Sequence, residues 1–357
     1  MLRNLVFALL LASVARADYT VVELNGTFGF ASSVFNDAGQ FAGTRDFGSG
    51  PRAFRWSLGS GFTNLGGDGS SGTAISSNGL VAGLSQFEPG NPTQRAFLWQ
   101  PGVGMTDLGT LGGASSQATG VNSIGNVVGR SPLAEGTQRA FLWQPGVGMT
   151  DLGVLPGAAS TASSIANAIT DNNRVVGSAQ DLNGNTRPFL WTSADGLLDL
   201  GTLGGSVGVA RDANDAGLVV GQALRADDTN GAFVWTSLTG MIDLGTFGGG
   251  TSGALSVNAS GQVVGFAQDV DGVNRAFLWD SVNGLRDLNG LVANQNLTSA
   301  LAINDAGAII AQTTSNDGFT LLLLTPDAPE PVPAPPAAML AGLAIAIGTV
   351  RRLRRGI

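Results

Sequence analysis

The 357-residue chain contains no cysteine, no histidine and no lysine; all 18 basic residues are arginine. Each absence removes a chemistry. Without cysteine there is no disulfide framework, no thiolate nucleophile and no zinc–thiolate site. Proteins can be exported without disulfides, so the compartment stays open. Without histidine the commonest general base and metal ligand is missing. Without lysine no Schiff base can form. Charged residues are also scarce, at 12%. Glycine is what the chain has in quantity, with 54 copies, and glycine is the residue that tight turns need.

One motif recurs at nearly constant spacing. Residues 95–112 read RAFLWQPGVGMTDLGTLG, and residues 139–156 read RAFLWQPGVGMTDLGVLP. The six tryptophans of the chain, Trp56, Trp99, Trp143, Trp191, Trp235 and Trp279, occupy the same place in successive copies, with gaps of 43, 44, 48, 44 and 44. A period of roughly 40–50 residues marks a propeller or an array. A residue present in every copy serves the architecture first. Chemistry particular to this chain must lie where the copies differ.

Each copy holds four short segments rich in β-branched and aromatic residues and bounded by turn residues, which is the strand signature. The first ends in Asn or Asp before a turn, as in 118–122; the second is V-V-G, as in Val127-Val128-Gly129; the third is A-F-L-W; the fourth is M-x-D-L-G. Turns such as Asn122-Ser123-Ile124-Gly125 join the first two, since Asn and Gly tolerate left-handed backbone. Ala140-Phe141-Leu142-Trp143 is apolar at every position. Both faces of such a strand must be covered, as they are between the blades of a propeller.

The V-V-G unit occurs seven times, ending with Ile309-Ile310-Ala311. The last copy lacks a fourth segment, and an orphan fourth segment, Val21-Val22-Glu23-Leu24-Asn25-Gly26, stands near the N-terminus. The pattern predicts an all-β fold: a seven-bladed β-propeller of 44-residue, four-stranded repeats, closed by the N-terminal strand pairing with the last blade. An open β-solenoid is the alternative and would need two capping ends.

The ends of the chain read differently. Residues 1–17 combine Arg3, an apolar core and an A-x-A site ending at Ala17, as in a secretory signal. Residues 326–336 form a proline-rich linker; 337–350 are apolar, and Arg351, Arg352, Arg354 and Arg355 follow. Fourteen apolar residues are short for a helix spanning a membrane, which needs about 20; a short transmembrane helix with cytoplasmic arginines is the expectation. The domains expected are a signal peptide (1–17), a propeller (18–325), a linker (326–336) and a membrane segment with an Arg-rich tail (337–357). Residues 18–350 carry 12 arginines and 26 acidic residues, a net −14. Such a surface disfavours nucleic acid, which demands clustered cations.

The tail resembles the PEP-CTERM sorting signal of Gram-negative bacteria through Pro329-Glu330-Pro331, the short apolar segment and the terminal arginines. The resemblance implies processing by an exosortase-type membrane enzyme, and a place at the outer surface or in the matrix of a bacterium that makes exopolysaccharide. A second proline set, Val332-Pro333-Ala334-Pro335, stands nearer the apolar segment. The repeat resembles the HAF family of extracellular repeats through Ala96–Trp99, Asp107–Gly113 and Val121–Gly129. That resemblance implies a secreted or surface protein and no defined chemistry.

Candidate chemistry is sparse. Asp107, Asp151, Asp199, Asp243 and Asp287 share one repeat position, filled by Asn64 and Glu23 in the other two copies. A glycosidase would pair two such acids, but recurrence and exchange for Asn favour a turn brace. Asp181, Asn183, Asn185, Asp269 and Asp271 lie in loops resembling partial calcium loops, with oxygen ligands around a glycine turn but no closing bidentate Glu. Arg52, Arg95, Arg139, Arg187 and Arg275 precede the third strand and are expected to pair with a neighbouring blade's carboxylate. No cofactor is implied beyond calcium. The reading is an exported, non-enzymatic surface or matrix protein that binds glycan or other surface proteins through its loops, touching membrane only through its tail. The alternative is a secreted, carboxylate-dependent carbohydrate-active enzyme, for which Glu88 and Glu135 are the acids departing from the pattern.

Overall fold

The computed structural model describes residues 19–24, 35–48, 50–57, 59–88, 90–315 and 318–327. Ala17, Pro329, Glu330, Pro331, the apolar segment 337–350 and the terminal arginines lie outside the described residues. The chain divides into two units, Met1–Pro326 and Asp327–Ile357; the described residues of the first, Tyr19 to Pro326, form the propeller. Among the described residues no helix is long and apolar enough to cross a membrane.

Seven antiparallel sheets make the propeller, one per repeat. Blade 3 is typical: Gln117–Val121, Val127–Pro132, Gln138–Gln144 and Gly148–Asp151 run from the innermost strand to the outermost. Blades 2, 4, 5 and 6 repeat this order, and blade 1 has three described strands, Phe41–Asp46, Pro51–Ser57 and Gly61–Asn64. In blade 7, Leu297–Ile303, Ile309–Ser315 and Gly318–Pro326 are followed outward by Tyr19–Leu24, with Tyr19 opposite Pro326 and Leu24 opposite Leu321.

The all-apolar third strand is covered on both faces. Leu98 of blade 2 packs in one cluster with Phe141 and Trp143 of blade 3, and Leu142 of blade 3 packs with Phe189 and Trp191 of blade 4. Alternate positions thus serve opposite neighbours, as the period of two in a strand dictates. Seven such clusters fill the seven junctions. One joins Ala302, Ile310 and Leu321 of blade 7 to Phe41 and Phe54 of blade 1. Phe54, Phe97, Phe141, Phe189, Phe233 and Phe277 are fully buried, and each contributes about 1.5–3 kcal/mol by leaving water.

The V-V-G glycine has a steric cause. Every innermost strand with a full register, in blades 2 to 7, is broken by a β-bulge. The bulge pushes a carbonyl toward the second strand. A Cβ on Gly129 would lie 1.9 Å from Gln117 O, and one on Gly177 2.0 Å from Ile165 O. The phenylalanine of the third strand sits opposite this glycine in register, as Phe141 does opposite Gly129. At Gly83, Gly221 and Gly265 the ring edge approaches within about 3 Å of that same Cβ position. Blade 7 breaks both halves of the rule together: Ala311 faces Leu322.

Candidate functional site

The repeated polar residues are spent on the architecture. The carboxylate of D-L-G accepts the backbone N–H two residues on: Asp107 from Gly109, Asp151 from Gly153, Asp199 from Gly201, Asp243 from Gly245 and Asp287 from Asn289, at 2.8–3.0 Å. Asn64 makes the same bond to Gly66 at 2.9 Å, so no negative charge is required. These are turn braces, as the exchange for Asn implies.

The recurrent arginines pair mostly inside their own blade, not with the neighbour as expected. Arg95 meets Asp107 at 2.8 Å, Arg139 meets Asp151 at 3.4 Å, and Arg187 meets Asp199 at 3.1 Å. The cause is the register: the third strand pairs with the fourth so that Phe141 lies opposite Asp151, two residues from Arg139. Arg139 also donates to Ala162 O and Ser160 O, and Arg187 to Ser206 O, backbone that leads into the next blade, whereas Arg95 turns to Glu88 of its own blade. Arg52 crosses to Asp68 at 2.5 Å, because Asn64 leaves it no acid at home. In blade 5 the third-strand position is Gly231, and Arg225 of the second strand takes the role with Asp243. Burial pushes the Asp243 carboxyl up, but the Arg225 contact and the Gly245 N–H outweigh it and hold it below the usual range.

The asparagines that end the innermost strands form a ring of bonds between blades. Asn36 donates to Ser76 O, Asn122 to Thr170 O, Asn214 to Asn258 O, Asn258 to Asn304 O, and Asn304 to Asn36 O, at 2.9–3.2 Å. Blades 2 and 4 have Ser76 and Thr170 at that position; there Asn78 donates to Ser123 O and Asn172 to Asp215 O instead. Each of the seven junctions carries one such amide.

The ends of the innermost strands enclose a cavity of about 170 Å³ on the axis, lined by Ile75, Val121, Ile169, Val257 and Ile303 among others. Asp212 is the one charged residue among the described residues of that lining. The same column of the repeat holds Ala74, Gly120, Ala168, Ser256 and Ala302. Asp212 accepts from Ser256 Oγ and Val257 N, each at 3.0 Å, and from Ala213 N at 2.8 Å. Burial pushes its carboxyl above the usual range, against the pull of these donors.

The local reason is again the repeat. In blades 2, 3 and 4 the bulged residue ties its blade to the next: Thr73 to Ala118 O, Thr119 to Ala166 O and Asn167 to Ala210 O. In blade 5 that residue is Arg211, and Asp212 supplies the tie to blade 6. Sequence reasoning passed Asp212 over. Stacking the copies in register would have found it, as an acid in a column of small residues.

The calcium-like loops close on themselves. Asp181 accepts from the N–H of Asn183 and Asn185 at 2.8 and 2.9 Å, and Asn185 Nδ2 also points at it. Asp269 accepts from Asp271 N and Val273 N and binds Arg275 Nε at 2.9 Å. The Arg275 bond, with the Val273 amide, holds that carboxyl low. Among the described residues no three acidic side chains gather as a metal site would need. Glu88 is held by Asn91 and Arg95, which lower its pKa, and Glu135 lies exposed in the equivalent loop of blade 3. A second cavity, about 340 Å³, opens where blades 2 and 3 adjoin.

No family model matches the chain, and no curated protein matches it. Solved structures do. The β-propeller domain of the Trilobed protease from Pyrococcus furiosus, described as having an open velcro topology, aligns at 8% identity with a TM-score of 0.54, over 84% of this chain and 96% of that one. TolB from Acinetobacter baumannii aligns at 12% identity with a TM-score of 0.46, over 82% of this chain; the match spans 65% of TolB. At such identities the first likeness establishes the β-propeller fold and nothing finer.

Proposed function

We propose that this chain is an exported, non-enzymatic surface or extracellular-matrix protein. It is sorted through its PEP-CTERM-like tail and binds glycan or protein through the loops and clefts of the propeller. The observation that carries this reading is the use of its polar residues. The recurrent aspartates brace turns, the recurrent arginines clamp them, and the asparagines stitch blade to blade. What is left free to vary is the loop face and the clefts between blades. The reading includes ring closure: Tyr19–Leu24, paired with Gly318–Pro326, acts as the clasp of the ring.

Two experiments test its halves. Deleting the gene of the exosortase-type enzyme should leave the chain in the inner membrane with its tail uncut; unchanged processing would sink the sorting half. The full chain should co-sediment with polysaccharide from the producing bacterium, and its staying in the supernatant would sink the glycan half. The second reading, a carbohydrate-active enzyme, draws on Asp212, a carboxyl held protonated more readily than usual in the axial cavity. Raised acids cluster at functional sites. Against it stands the lack of a second carboxylate in the described lining, which glycoside hydrolysis requires.

A further inference from the structure

The cavity between blades 2 and 3 departs from the repeat. It is lined by Leu84 and Gln94 of blade 2, and by Ser115, Gln117, Arg130 and Gln138 among the blade 3 residues. Its volume, about 340 Å³, falls in the range of small-molecule sites. Its chemistry is unusual for this protein. The residue after V-V-G is Thr44, Leu84, Ser178, Gln222, Phe266 or Gln312 in the other blades, and Arg130 only in blade 3.

Arg130 binds one neutral oxygen: its Nε and Nη2 both reach Gln117 Oε1, at 3.0 and 2.7 Å. Arg52, Arg95, Arg139, Arg187, Arg225, Arg275 and Arg286 all have carboxylate partners. Arg130 has none among the described residues, in a domain of net −14. Arg45, Arg55, Arg174 and Arg211 likewise have none among the described residues, but of these five only Arg130 lines either of the two cavities. A second donor is also unspent. Gln138 Nε2 is buried with no hydrogen-bond partner, an unfavourable state for an amide donor. The equivalent amide in blade 2, Gln94 Nε2, is satisfied by Gly69 O at 2.9 Å.

An uncompensated guanidinium and an orphaned amide donor in one cavity call for an anionic acceptor, and a carboxylate fits the planar guanidinium fork. The remaining lining is amide and hydroxyl, the partners of vicinal sugar hydroxyls, with Leu84 and Pro132 as apolar walls. We infer that the cleft between blades 2 and 3 is a subsite for an acidic sugar, with the carboxylate of a hexuronate residue on Arg130 and the Gln138 amide turned out from its buried position to meet it. The inference rests on the glycan-binding reading above and names the sugar class.

The test is calorimetric titration of the full chain with a galacturonate trimer and with a neutral galactose trimer of equal length. The acidic trimer should bind at least 10-fold tighter, and more weakly as salt rises. Arg130→Gln should cost at least 10-fold in its affinity and leave the neutral trimer unchanged. Glutamine is already the residue of blades 5 and 7 at this register, so the blade accepts it; an unchanged melting temperature checks the fold. Gln138→Thr, the residue of blade 4, should cost less, about 3-fold to 10-fold. Equal affinity for the two trimers, or an unaltered Arg130→Gln variant, overturns the inference. If the protein sediments with polysaccharide while the acidic trimer neither binds nor competes, the subsite is wrong and the glycan reading stands. If neither occurs, both fall.

Discussion

At the scale of single residues, the repeat is a set of steric and hydrogen-bonding solutions. The V-V-G glycine exists because a carbonyl two residues before the bulge of the innermost strand occupies the place of its Cβ. Gly177→Ala would put a methyl 2.0 Å from Ile165 O and should destabilise the fold by about 1–3 kcal/mol or more, the usual cost of overpacking. Denaturant unfolding measures it, and an unmoved midpoint would refute the steric account. Asp212 makes a prediction in pH. Burial raises its folded pKa above the unfolded value, so the folded state binds the proton more tightly. Its stabilising share is full at acid pH and is lost as pH rises through the folded pKa. Wild type should therefore lose stability relative to Asp212→Asn between acid and neutral pH, in urea unfolding followed at several pH values. A difference constant with pH would mean the carboxylate is not desolvated as described. The V-V-G and D-L-G residues were legible in the sequence because they recur. The reason for the glycine was not, because a bulge is a register shift between strands and leaves no mark in one strand's composition.

At the scale of elements, what sets the fold is how neighbouring blades meet. The turn asparagines read as left-handed turn formers, and several of their backbone partners are indeed glycines of positive φ, such as Gly125 and Gly261. Their second role, donating to the next blade, is invisible in a single copy because the acceptor lies 40 to 48 residues away, and 268 away for Asn304. Asn258→Ala removes a buried donor to Asn304 O and a brace on Gln262 N. It should cost about 1–3 kcal/mol, read as a lowered denaturant midpoint; Asn78→Ala should cost less, since the bond it removes is exposed. The arginines show the limit of pattern reading. Their spacing announced a charge partner, but which blade supplies it depends on the pairing register of the third and fourth strands. Deleting residues 19–24 would uncover the outer edge of Gly318–Pro326. Exposed edges recruit other strands, so the truncated chain should melt lower and scatter light on concentration. An equally stable monomer would remove the clasp from the account.

At the scale of the whole molecule, seven repeats were countable because each carries its own punctuation, and the sheets fall where that punctuation places them. The functional surface was less legible. Repetition reveals what is shared, whereas Asp212 and Arg130 matter as exceptions, and an exception has meaning only once the columns are aligned in three dimensions. On the proposed function, this propeller binds without catalysis. The most direct measurement incubates the full chain with polysaccharide from the producing bacterium, and follows bound protein and newly formed reducing ends together. The account predicts retention on the polysaccharide with no growth of reducing ends over the protein-free control. Steady release of reducing ends, abolished in Asp212→Asn, would contradict it and make the axial cavity an active site.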